Sequence, residues 1–136
     1  MKKTLDTPYI LYEIVDDILH VTYKKGLIID ASIASEIIHT RKEFCNHRPY
    51  PGLILDLGVM EISKEARDLF SSELGTRDVL ATALVLRAVY SRIIGNFFIK
   101  VTRPPIPVKI FNDKTKALEW LEQFKPAAEK KTLEPL

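Results

Sequence analysis

The chain predicts an α/β fold, a mixed sheet of about five strands with about four helices, on three observations. Two short runs rich in β-branched and aromatic residues, Tyr9 to Val15 and Ile18 to Tyr23, are separated only by Asp16-Asp17, the spacing of an antiparallel hairpin. Continuous apolar runs follow at Leu53-Ile54-Leu55 and from Val79 to Leu86, as in strands covered on both faces. Between and after these runs lie segments whose apolar residues recur at helical spacing. A hairpin followed by alternating helices and strands predicts right-handed crossovers into parallel strands.

Taken in order, the second hairpin strand alternates Leu19, Val21 and Tyr23 with His20 and Thr22, which predicts one buried face and a wetter one that carries His20. Asp30 is the N-cap candidate of a first helix running to about Asn46. Its inner face is Ile33, Ala34, Ile37, Ile38, Phe44 and Cys45, with His39, Lys42 and Glu43 in solvent. Asn46 to Gly52 reads as a turn-rich connection. After the Leu53 strand, Ser63 caps a second helix whose inner residues are Ala66, Leu69, Phe70 and Leu74, and Gly75 is placed to stop it.

The third helix is predicted over residues 88–101, with Tyr90, Ile93, Ile94, Phe97, Phe98 and Val101 on one stripe. Burying six large apolar side chains contributes on the order of 10 kcal/mol, so that stripe has to meet the sheet, another subunit or an apolar ligand. Pro104 and Pro105 end the helix. Pro107 to Phe111 reads as a short edge strand, and Asn112 or Asp113 caps a last helix with Ala117, Leu118, Leu121 and Phe124 inward and Trp120 packed beside them. Residues 1–136 thus form one domain with its core over 9–124, and residues 125–136 are a loose tail.

Composition narrows the function classes. At 136 residues and 46% hydrophobic the chain suits one globular domain. Lys plus Arg number 20 against 18 Asp plus Glu, and the resulting charge of +2 provides no field for nucleic acid or an anionic membrane. Cys45 is the only cysteine, which excludes an internal disulfide and a thiolate zinc cluster and suits a reducing cytoplasm, with Cys45 itself a small buried hydrophobe. No stretch resembles a signal peptide or is long and apolar enough to span a bilayer. Phosphate loops, metal-ligand spacing and nucleophile elbows are missing, and His20, His39 and His47 fall on three different predicted elements. The expectation is a cytoplasmic protein that is not an enzyme and holds no cofactor or metal.

The rule for open α/β sheets makes the turn between the Leu53 strand and the Ser63 helix the candidate site, because backbone N–H groups and the positive helix end converge there. Met60, Glu61, Ser63, Lys64 and Arg67 lie on this turn, and Arg87, Tyr90 and Arg92 follow the next strand toward the same edge. Arg87 and Arg92 beside a helix N-terminus offer a hold for a phosphate or a partner's carboxylate, with solvated surface charge as the plain alternative.

Leu53-Ile54-Leu55-Asp56-Leu57 before a helix-starting Ser63, and Ile110-Phe111 before Ala117-Leu118-Glu119-Trp120-Leu121, in this order of elements, resemble the STAS domain. That superfamily includes the sporulation anti-anti-sigma factors, and a lipid-binding Sec14-like fold is often classed near it. The resemblance covers about Tyr9 to Phe124 and implies a non-catalytic interaction domain. In the anti-sigma antagonists a Ser or Thr after an Asp at the start of the second helix is phosphorylated by a partner kinase. Here that pair is replaced, with Ser63 near the Asp position and Lys64 at the expected phosphoacceptor. Three expectations follow from the resemblance and the pattern together. The Met60 to Arg67 turn and the Arg87 to Arg92 segment dock a protein partner or a second copy as a homodimer. As an alternative, the aromatic third helix suits a small carrier of an apolar or lipid-like molecule. As a further alternative, Ser63 is a phosphoacceptor, against its plainer role as helix cap.

Overall fold

The computed structural model describes residues 3–86 and 104–126. The third predicted helix, with Arg87, Tyr90 and Arg92, lies outside them, as does the tail beyond Pro126. The hairpin is as expected: β2 (Ile10–Val15) pairs antiparallel with β3 (Ile18–Tyr23), and Asp16 and Asp17 both take positive φ, 50° and 62°, as a two-residue I′ turn requires. A strand not expected from the sequence, β1 (Lys3–Asp6), adds antiparallel to β2, which gives the main sheet six strands among the described residues.

From β3 the chain passes through β4 (Ile28–Ile29) into α1 (Ala31–Phe44), whose N-cap Asp30 accepts a hydrogen bond from the Ile33 N–H. Helix α1 leads to β5 (Tyr50–Asp56), which pairs parallel with β3. The strand begins inside what the sequence presents as a turn. Pro51 and Gly52 belong to it because the β5 register shifts between Tyr50 and Gly52, and an irregularity there absorbs the N–H that Pro51 lacks.

Strand β6 (Glu61–Ile62) pairs parallel with β4 in a separate two-stranded sheet. The second predicted helix is broken in two, α2 (Lys64–Ser71) and α3 (Glu73–Thr76), with Ser72 ending one and capping the next. Leu74 is therefore turned outward, 47% exposed, rather than inward, and Gly75 is not a helix stop but a buried residue of α3. Strand β7 (Val79–Leu86) pairs parallel with β5 and with β8 (Val108–Phe111), which is an edge strand as expected. Asp113 caps α4 (Lys114–Leu121) through the Thr115 N–H.

The strand order β1-β2-β3-β5-β7-β8 divides two cores. On one side Ile10, Tyr12, Leu19, Val21 and Tyr23 pack with Ala34, Ile37 and Phe44 of α1 and Ala66 of α2. On the other, Ile18, Leu53, Ala81, Ala83 and Val85 pack with Ala117 and Leu121 of α4, and Trp120 lies between Phe111, to which it is tilted, and Phe124, which it meets edge to face. His20 is buried, against the expectation of a wetter face. Its side of the sheet carries the second core, closed by a helix almost a hundred residues further along the chain. Cys45 is buried, as expected of a small hydrophobe.

Candidate functional site

At the carboxyl ends of the parallel strands, the turn after β5 is built by Asp56. Its Oδ1 accepts from the Gly58 and Val59 N–H groups at 2.8 and 2.7 Å, while Gly58 takes φ +134°. The β3–α1 loop then grips the turn: the N–H groups of Met60 and Glu61 donate to the Leu27 carbonyl, that of Ser63 donates to Ile29, and Gly26 donates back to Gly58. The Ser63 hydroxyl accepts from the Ala66 N–H at 3.1 Å. Six N–H groups that sequence reasoning expects to converge on a ligand are thus engaged within the chain.

What the turn presents outward is side chains. Met60 is 71% exposed, and Ile28 and Leu57 stand out on the same pair of loops at 57% and 42%. Lys64 pairs with Asp68 at 2.9 Å, and that hydrogen bond raises the lysine pKa. Arg67 donates from Nη1 to the Ile62 carbonyl, which ties α2 to β6. Met60, Glu61, Ser63, Lys64 and Arg67 share this turn and the start of α2, whereas Arg87, Tyr90 and Arg92 lie outside the described residues. Ile28 carries no signal in the sequence, because a two-residue strand in a loop has no period.

Among the described residues a cleft of about 420 Å³ lies over the face of β3, β5, β7 and β8, beside α1, α2 and the Met60 turn. Its surface is largely aliphatic, with Leu19, Ile37, Ile54, Phe70 and Leu84 on it. Gly52 lies in the floor between its register partners Leu19 and Thr82, and its missing side chain deepens that end. Arg41 reaches the cleft from α1, held by hydrogen bonds from Nη1 to the Gly75 carbonyl at 2.8 Å and from Nη2 to the Arg77 carbonyl at 2.9 Å. Desolvation lowers the guanidinium pKa, with Cys45, Tyr23 and Asp78 opposing it less strongly. The sequence signal for Arg41 was available: it continues the apolar stripe of Ala34, Ile37 and Ile38 at i+3 and i+4 spacing, where a solvated cation does not belong.

Among the described residues no group of three or more His, Cys, Asp or Glu is placed to hold a metal ion, and no helix is long and apolar enough to cross a membrane. Residues 12–125 match a family described as a domain of unknown function, DUF7793. Among solved structures, the fold is similar to that of an uncharacterized protein of the DUF3478 family with a SpoIIAA-like fold from Shewanella loihica PV-4. The TM-score is 0.56 at 15% identity, covering 89% of this chain and 92% of that one. A protein of unknown function from Arthrobacter sp. FB24 matches at 26% identity over 82% of this chain and 92% of that one, but with a TM-score of 0.31. No curated protein matches. The resemblance to STAS domains thus holds at the level of the fold, while the family match is to DUF7793.

Proposed function

The chain belongs to the DUF7793 family, and from its SpoIIAA-like architecture we propose that it is a regulatory interaction module that docks a protein partner through the Met60 end of the sheet. The observation that carries this reading is the exposure of Met60, Ile28 and Leu57 on two loops held rigid by the β4–β6 pairing. Exposed apolar side chains on a braced scaffold lose little entropy on docking, and the charged neighbours Glu61 and Lys64 supply a polar rim. Photo-crosslinking from position 61 in the source cell, with the wild-type chain and with Met60→Asp, tests it. A discrete adduct that falls at least about ten-fold in Met60→Asp, with the melting curve unchanged, is the expected outcome. An adduct of undiminished yield in the variant would remove the Met60 end as the docking surface.

The cleft favours a second reading, a carrier or sensor of an apolar small molecule. A volume of about 420 Å³ with aliphatic walls lies in the range of small-molecule sites. Thermal shift of the full chain with a panel of aliphatic alcohols checks it, a rise that scales with chain length being expected and a flat response counting against it.

A further inference from the structure

We propose that β1 is a dimerisation edge, pairing antiparallel with β1 of a second copy of this chain about a two-fold axis beside Leu5. This goes beyond the Met60 reading, which needs no second copy. The Thr7 N–H donates to the Ile10 carbonyl at 2.9 Å, and Leu5 and Lys3 follow Thr7 at alternate positions of the same register, opposite Tyr12 and Ile14. Alternate pairs of an antiparallel ladder exchange hydrogen bonds. Lys3, Leu5 and Thr7 therefore turn their backbone groups toward β2, and Thr4 and Asp6 turn theirs outward. All of β1 is exposed.

The side chains leave this edge undefended. Edge strands commonly carry a lysine or another charge that repels a second strand. Here the Lys3 ammonium is drawn inward, donating to the Phe44 carbonyl at 2.6 Å and lying 4.9 Å from the centre of the Phe44 ring. The Asp6 carboxylate is paired with Lys24. Between them Leu5, 38% exposed, is the outer end of an apolar row that crosses the first-core face through the register partners Tyr12, Val21, Ile54 and Leu84. A second copy continues that row past the edge.

Because side chains alternate along a strand, only registers that set even-numbered residues against even-numbered ones keep the two faces in line. With Leu5 opposite the partner subunit's Leu5, Thr4 stands opposite the partner subunit's Asp6, and their outward N–H groups meet each other's carbonyls. The Thr4 hydroxyl is then placed to donate to that carboxylate. One neighbouring register sets Asp6 against the partner subunit's Asp6, facing like charges, and Thr4 against the partner subunit's Pro8, which has no N–H. The other sets Leu5 against the partner subunit's Lys3 and breaks the apolar row. The axis reverses strand direction, so the two Met60 turns stand at opposite ends of the dimer.

Sedimentation equilibrium of the full chain from about 10 μM to about 1 mM reads the association. So short a strand buries less than a standard interface, and a reversible dimer that dissociates within this range is expected. Leu5→Lys sets two ammoniums together at the axis, and Thr4→Pro removes an outward N–H without touching the β1–β2 ladder. Each is expected to raise the dissociation constant at least about ten-fold, with the melting curve of the dilute chain unchanged. Leu5→Cys occupies a non-hydrogen-bonded pair with Cα atoms about 4.5 Å apart, and is expected to give a disulfide-linked dimer in oxidised glutathione. Thr4→Cys, Asp6→Cys and the wild-type chain, whose Cys45 is buried, are expected to stay unlinked. Should Thr4→Pro fail to melt cooperatively, Leu5→Lys and Leu5→Cys carry the test. A chain that stays monomeric throughout would overturn the proposal and leave the Met60 reading standing. A dimer that neither Leu5→Lys nor Thr4→Pro weakens lies elsewhere and equally overturns it. Linkage at position 4 or 6 in place of 5 would overturn the pairing of Leu5 with its own copy.

Discussion

Single residues in this fold do work that their type alone does not announce. Gly75 resembles a helix stop in the sequence, but its α-hydrogen faces the carbonyl oxygens of Leu69 and Phe70, and an added Cβ would collide with both. Those are backbone atoms at the end of α2 and cannot swing aside. Gly75→Ala is expected to cost ~2 kcal/mol or more, read as a lower urea midpoint at constant slope. An unchanged midpoint would mean that α3 shifts freely against α2. Ser63 is a case where the sequence is sufficient, since a Ser before an amphipathic run is legible as a cap and its hydroxyl accepts from the Ala66 N–H. Ser63→Ala is expected to lose ~1 kcal/mol, whereas Ser63→Asp, an equally good cap, stays within a few tenths. Equal losses in the two would show that the hydroxyl serves something other than capping.

At the scale of elements, legibility follows length. The hairpin, α1, β7, β8 and α4 carry four or more residues of clear period or run, with cap or turn residues at their ends, and they stand where the pattern puts them. Strands β4 and β6 have two residues each and no period at all, and β1 is a four-residue stretch, Lys3-Thr4-Leu5-Asp6, with one large apolar side chain. Their pairing is decided by neighbours distant in sequence, so local pattern cannot disclose it. The consequence for the site is direct. The Met60 turn was legible as a location, but its N–H groups being spent on Leu27, Ile29 and Asp56 was not. Gly58, at φ +134° with its carbonyl bound by Gly26, is the hinge of that bracing. Gly58→Ala is expected to cost ~1 kcal/mol and to speed amide exchange at Met60 and Ser63 more than at Leu53 in β5. Uniform acceleration at all three would indicate global destabilisation without local loosening.

For the whole molecule, the sequence separates a helical side from a strand framework but does not say that both faces of β3 are closed, because α4 arrives from the far end of the chain. Closing both faces also buries titratable groups that a local reading treats as ordinary. Tyr12 and Tyr23 lie in the first core with Cys45, and burial raises all three pKa values, that of the Cys45 thiol to about 11. Below about pH 8.5 the thiol is neutral in both folded and unfolded chains, and its contribution is fully present. Above that, the unfolded chain releases the proton that the folded chain retains, so stability falls as pH rises toward the folded value, and the tyrosines add the same sign above pH 10. The thiol's part is at most about 3 kcal/mol, spread over pH 9 to 11. Melting temperatures of the full chain should therefore be flat near neutrality and decline from about pH 9, with Cys45→Ala flattening the first part of the decline and leaving the steeper fall above pH 10. A decline of the same slope in Cys45→Ala would assign the alkaline loss to the tyrosines alone. A profile flat to pH 11 would show that the first core admits water to its hydroxyls.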